Sequence, residues 1–174
     1  MKKTLLLLAL TALSLFAEVD TTKPLPTMVL QGDDGGYYSG KPWNSEMLKG
    51  KTTMLMYVDP DEKNKGEVFK PTIEGFEKDL DFDKFQILVI INLNATWKPD
   101  AIIKKMMKSK VDNYPKRTYI LDAKSILVKG WGLPDDAYNT LIIDKDGKVI
   151  YQHAGDWDEK EMKEVDTLVR HNVQ

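Results

Sequence analysis

Thr52-Thr53-Met54-Leu55-Met56-Tyr57-Val58, followed at once by Asp59-Pro60-Asp61-Glu62-Lys63-Asn64, is the stretch on which the fold turns. The first part is nearly continuous in its apolar character, too short for a helix, and stopped by Asp-Pro. That combination predicts a strand buried on both faces, at the centre of a sheet covered from two sides. Phe85 to Leu93 (FQILVIINL) repeats the pattern and predicts a second such strand. Between them Phe69, Ile73, Phe76 and Leu80 fall at helical spacing, with Gly66, Pro71 and Gly75 delaying or bending the helix. Beyond the second strand, Pro99 suits the first turn of another helix, with Ile102, Ile103, Met106 and Met107 as one apolar stripe. Strand, helix, strand, helix favours parallel pairing through crossovers.

The second half changes rhythm. Arg117–Leu121 and Ile126–Lys129 flank a turn at Asp122-Ala123-Lys124, and Thr140–Ile143 and Lys148–His153 flank Asp144-Lys145-Asp146-Gly147. Both arrangements suggest antiparallel hairpins. The chain closes in a helix with Met162, Val165, Leu168 and Val169 on its apolar face, Asp156 and Glu159 resembling a capping box, and Arg170 placed for the C-terminal dipole. Ahead of the central strand, Glu18 to Gly50 is rich in Gly, Pro, Asp and Tyr and reads as extended chain and turns, with a short strand piece at Thr27–Leu30.

The chain has 174 residues, with 25 Lys and Arg against 27 Asp and Glu, and no cysteine. This near balance supplies no field to draw a polyanion, so nucleic acid is not an expected partner. Without cysteine there are no disulfides, no thiolate nucleophile and no cysteine-held metal. Met1-Lys2-Lys3 and the apolar run Leu5–Phe16, closed by Ala17, read as a secretory signal too short for a membrane span. The division expected is residues 1–17 as signal peptide, 18–50 as an extended N-terminal segment, and 51–174 as the folded domain. No integral membrane span is expected in the mature chain.

The order β-α-β-α-β-β-α is that of the thioredoxin-like fold: α/β, with a central mixed sheet flanked by helices. Several motifs also resemble the YtfJ family of exported thioredoxin-like proteins. They are Trp43 with Leu48-Lys49-Gly50-Lys51, Val58 to Lys63, Asn92-Leu93-Asn94-Ala95-Thr96-Trp97-Lys98-Pro99, Lys129-Gly130-Trp131-Gly132-Leu133 and Ile143 to Val149. The resemblance runs from about Tyr38 to Leu168, and implies a periplasmic location and the thioredoxin-like fold, with no activity to carry over. In redox-active members of the wider superfamily a Cys-x-x-Cys pair follows the first central strand and a cis proline precedes the strand entering the last hairpin. The corresponding residues here are Asp59–Asn64 and Tyr138, which cannot exchange disulfides.

Other motifs carry less. Gly50-Lys51-Thr52 lacks the glycine a phosphate loop needs and leads into a strand. Asp144-Lys145-Asp146-Gly147 lacks the closing Glu of a calcium loop and reads as a hairpin turn. His153 and His171 have no helical-spacing partner, so no metal site, no cofactor and no catalytic residue is assigned.

Asp59, Asp61 and Glu62 lie beyond the carboxyl end of a central strand, where open α/β sheets place ligands, and form the strongest catalytic or metal-binding candidate. Alternatively they end the strand and serve a helix N-terminus electrostatically. Within the basic-rich stretch Lys98–Arg117, Lys104, Lys105 and Lys108 form a patch suited either to peripheral contact with an anionic envelope surface or to a solvated helix face. Trp43, Trp97, Trp131 and Trp157 either anchor a protein partner or close clusters over the core. The expected function is a non-redox binding or scaffolding module with a periplasmic protein partner. Its face is formed by Asp59, Asp61, Glu62, Asn64, Trp97, Asp135 and Tyr138. The competing readings are a hydrolase or metal-dependent enzyme built on the carboxylates, and a peptide or small-ligand carrier with an apolar groove.

Overall fold

The computed structural model describes residues 19–174, so the proposed signal lies outside the described residues. Eight strands and four α-helices follow in the order β1 (Val29–Leu30), β2 (Gly35–Tyr37), β3 (Trp43–Asn44), β4 (Thr52–Val58), α1 (Lys70–Asp79), β5 (Phe85–Asn92), α2 (Asp100–Asn113), β6 (Arg117–Asp122), α3 (Ile126–Trp131), β7 (Tyr138–Ile143), β8 (Val149–Ala154) and α4 (Glu159–Asn172). A six-stranded sheet has the order β2-β6-β5-β4-β7-β8, and β1 pairs separately with β3. Strands β4, β5 and β6 are parallel, while β7 runs antiparallel to β4 and β8 to β7.

Every residue of β4 is buried, as its unbroken apolar run requires. Its side chains alternate between two cores. Met54, Met56 and Val58 join Phe69, Ile73, Ile103, Met107 and Val165 from α1, α2, α4 and the turn before α1. Leu55 and Tyr57 face the other side with Trp43, Leu48, Leu127 and Trp131. Parallel crossovers that step steadily across the sheet from β4 to β6 put α1 and α2 on the same face.

Two expectations are corrected. Ile126–Lys129 is not a hairpin strand: it lies in α3, and Arg117–Asp122 instead pairs in parallel with β5. The Asp122 carboxylate accepts the backbone N–H of Ile126 at 2.9 Å and of Leu127 at 2.8 Å, satisfying donors at the start of α3 where Ser125 makes no side-chain cap. That acceptor, four and five residues upstream, outweighs the strand preference of Ile and Val. The capping box is also two residues later than expected, with Asp158 and Glu161 each accepting the other's backbone N–H at 2.8 Å. Asp158→Ala is expected to lower stability by about 1 kcal/mol in urea titration, whereas Asp156→Ala leaves it within about 0.5 kcal/mol.

The apolar stripe of α2 is divided: Ile103 and Met107 are buried, while Ile102 and Met106 are 50% and 46% exposed. The extended segment is tied into the fold through β2, which pairs with β6 at Gly35–Asp122 and Tyr37–Ile120. Gly35 has φ +119°, and a Cβ there would stand 2.0 Å from the Leu121 carbonyl oxygen, so only glycine lets this strand close the sheet edge. No helix among the described residues is long and apolar enough to cross a membrane.

Candidate functional site

The loops after β4 and β5 and before β7 converge. The backbone N–H of Asp59 donates to the Ala137 carbonyl at 3.2 Å, joining the first to the third. The Asp61 carboxylate accepts the Thr96 hydroxyl at 2.9 Å and pairs with the Lys98 ammonium, joining the first to the second. The third loop is fastened by Asn139, whose side-chain amide donates to the Pro134 carbonyl at 2.9 Å.

Each acidic side chain has its own local task. Asp59 is buried and accepts the backbone N–H of Asp61 at 2.8 Å, a turn that stops the strand. Burial pushes its carboxyl above the usual range, aided by the charges of Asp61, Asp136 and Glu62. The Lys98 ammonium, with the Thr96 hydroxyl, holds Asp61 below it. Glu62 pairs with Lys65 at 2.7 Å. Asn64 is exposed in the short turn Lys63–Gly66, and its carbonyl accepts from Glu67. Among the described residues no group of three or more His, Asp or Glu is placed to hold a metal ion.

The raised Asp59 carboxyl has a signed consequence. Its ionised form is disfavoured in the fold, so the penalty is present when both folded and unfolded states are ionised and vanishes below the unfolded pKa. Asp59→Asn, which keeps an acceptor for Asp61, is therefore expected to raise the melting temperature at about pH 7. The gain should shrink to nothing by about pH 3, as calorimetry across that range will read.

The tryptophans separate. Trp43, Trp131 and Trp157 are buried in the two cores, whereas Trp97 is 85% exposed with the Lys98 ammonium 5.4 Å from its ring centre. Asp135 approaches the Asn92 amide at 3.5 Å. Lys104, Lys105 and Lys108 are exposed on α2, with Lys108 paired to Asp112 at 2.8 Å.

Tyr138 lies beneath the loops instead of among them. It is 7% exposed, its hydroxyl donates to the Met56 sulfur at 3.1 Å, and its ring lies so close to Gly66 that a Cβ there would be 2.4 Å away.

Two features were not foreseen. One is a polar knot behind the loops, in which Asn92 accepts the Ser125 hydroxyl at 2.9 Å and the Asn94 amide meets Ser125 at 3.2 Å. Asn92 at the end of an otherwise apolar strand was its only sequence signal. The other is a cavity of about 180 Å³ between α1 and α2, lined by Met56, Ile103, Met106, Tyr138 and others.

A thioredoxin-like sheet with a cysteine-free carboxylate turn after its first central strand defines a thioredoxin-fold protein that cannot carry the dithiol. Solved structures agree on the fold. A putative protein disulfide isomerase from Bacteroides thetaiotaomicron superposes with TM-score 0.64 at 17% identity, covering 87% of this chain and 88% of that one. The exposed lipoprotein thioredoxin Etrx1 of Streptococcus pneumoniae gives 0.61 at 17% identity, covering 82% and 99%.

Within that class the chain belongs to the YtfJ_HI0045 family, bacterial proteins of unknown function, whose model matches residues 27–172. It is 25% identical to the protein YtfJ of Escherichia coli strain K12 over 140 residues, 79% of this chain and 75% of that one.

Proposed function

We propose that this protein is exported to the periplasm and serves there as a non-redox binding module, gripping a protein partner with the three loops beyond β4, β5 and β7's start. The observation that carries this reading is Trp97, a large aromatic side chain standing in solvent on a loop anchored from beneath by the Asp61–Lys98 and Asp61–Thr96 contacts. Aromatic side chains of this kind dominate the energy of protein interfaces once a partner covers them. The individually paired carboxylates favour a recognition surface over a hydrolytic centre, which needs convergent groups around one reacting atom. The Etrx1 neighbour is described as an exposed lipoprotein, in keeping with a fold at work outside the cytoplasm.

Crosslinking in intact cells tests the reading. Osmotic shock should release the protein with the periplasmic fraction, and crosslinking should trap a species of defined mass. Trp97→Ala should abolish that species while moving the melting temperature by less than about 2 °C, since the side chain contributes little to the core. Retention in the cytosol, recovery only as free monomer, or crosslinks indifferent to Trp97→Ala would overturn it.

A further inference from the structure

The geometry points to a binding site for a compact organic monoanion, an apolar body of about benzene size bearing a carboxylate, in the cavity between α1 and α2. This site does not depend on the protein-partner reading, because most of its walls come from β4, β5, α1 and α2 and neither Trp97 nor Asp61 lines it, although Pro60, Lys63 and Gly66 of the first loop do.

Size sets the body of the ligand. A cavity of about 150 Å³ lined by apolar side chains takes up benzene, and this one measures about 180 Å³. Its floor is apolar, with Met56, Ile91, Ile103 and Met107 contributing. Met106 belongs to its wall, which gives this half-exposed side chain a task that packing in the core does not. A wall containing three methionines adapts readily to an aromatic or branched aliphatic group.

Charge sets the head. Lys63, Lys70 and Lys110 contribute to the lining, against a single carboxylate, Glu67. Glu67 approaches Lys110 only at 3.8 Å, and Lys70 meets Glu74 at the same loose distance. Arg117, which also lines the cavity, is already matched by Glu77 at 2.7 Å. The lysines therefore leave an excess of positive charge beside an apolar hollow, the complement of an amphipathic anion.

The Tyr138 hydroxyl supplies an independent pointer. It is more than nine-tenths buried, it lines the cavity, and among the described residues its only hydrogen-bond partner is a thioether, a weak acceptor. Burial raises its pKa, so it stays protonated and able to donate. A carboxylate or carbonyl oxygen entering the cavity would replace a poor acceptor with a good one.

Methyl NMR on the purified protein, with the methionine methyls labelled, provides the test. Phenylacetate is the probe, and phenylacetamide is its neutral counterpart of nearly equal shape. Saturable shifts are expected at Met56, Met106 and Met107, with Met47 and Met54 unmoved, and phenylacetate should bind at least about fivefold more tightly than the amide. The double variant Lys70→Gln/Lys110→Gln changes exposed side chains only. It should weaken phenylacetate about five- to tenfold and leave phenylacetamide unchanged. No shift with either compound at about 10 mM would overturn the site. Equal affinity for both compounds, or a double variant that binds phenylacetate unchanged, would overturn its preference for anions.

Discussion

Asp122→Ala should lower the unfolding free energy by about 3–5 kcal/mol and the melting temperature by roughly 8–16 °C. Asp122 is fully buried at the end of β6, where its carboxylate accepts the Tyr57 hydroxyl at 3.0 Å and the backbone N–H groups of Ile126 and Leu127 at 2.9 and 2.8 Å. A longer contact, 3.3 Å, comes from the Lys124 backbone N–H. Alanine would leave these donors facing apolar side chains, and each orphaned buried donor costs about 1–3 kcal/mol. The Tyr57 hydroxyl cannot relieve the loss by ionising, because burial, the largest cause of its raised pKa, persists when the Asp122 charge is removed. Asp122→Asn keeps one acceptor oxygen and should fall between parent and alanine. Tyr57→Phe removes a single donor and should cost only about 1 kcal/mol. Guanidinium titration orders the series; a loss below about 1 kcal/mol for Asp122→Ala would contradict the role given to this carboxylate.

Phe69→Ala is the second large effect, about 3–5 kcal/mol. The ring is fully buried in the last turn before α1 and stacks on Trp157 with centroids 4.4 Å apart and planes only 4° from parallel. Tyr151 and His153 pack on the same indole at 6.0 and 4.7 Å. Truncating Phe69 uncovers one face of the indole at the centre of that group, so the indole gains access to water and its emission should shift to longer wavelength in the still-folded protein. Phe69→Leu retains most of the volume and should cost under about 2 kcal/mol with a smaller spectral change. A destabilised variant with unchanged emission would show that the stack does not shield Trp157.

How far the sequence could be read follows from how local each cause is. The burial of β4 and β5 on both faces is written in their own apolar runs, and the β7–β8 hairpin in the Asp144–Gly147 turn between them. Helix α3 was misread although its decisive acceptor is local: Asp122, four and five residues ahead of Ile126 and Leu127, reads equally well as a hairpin-turn residue between two strands and as an acceptor for a helix start, and the β-branched residues of the segment favoured the first. The capping box was misplaced because two Asp-x-x-Glu patterns overlap, Asp156–Glu159 and Asp158–Glu161; burial of Trp157 between the two aspartates accompanies the choice of the later one.

At the site, the carboxylates after β4 were visible as a group, but the partners that separate them, Thr96 and Lys98, come from a different loop. The cavity was wholly invisible. Lys63, Lys70 and Lys110 come from a turn and two helices and meet only once the crossovers have been made.

The pairing of β2 with β6 also dictates an order of assembly. Gly35 finds Asp122 as its neighbour only after nearly half the chain has followed it, so β2 has no template when it first emerges. A chain delivered N-terminus first must hold this segment open until β6 is in place. The glycine that admits β2 against Leu121 thus makes the first strand of the six-stranded sheet to emerge dependent on a much later one, and that sheet's edge is closed by a piece of chain that has been waiting for it.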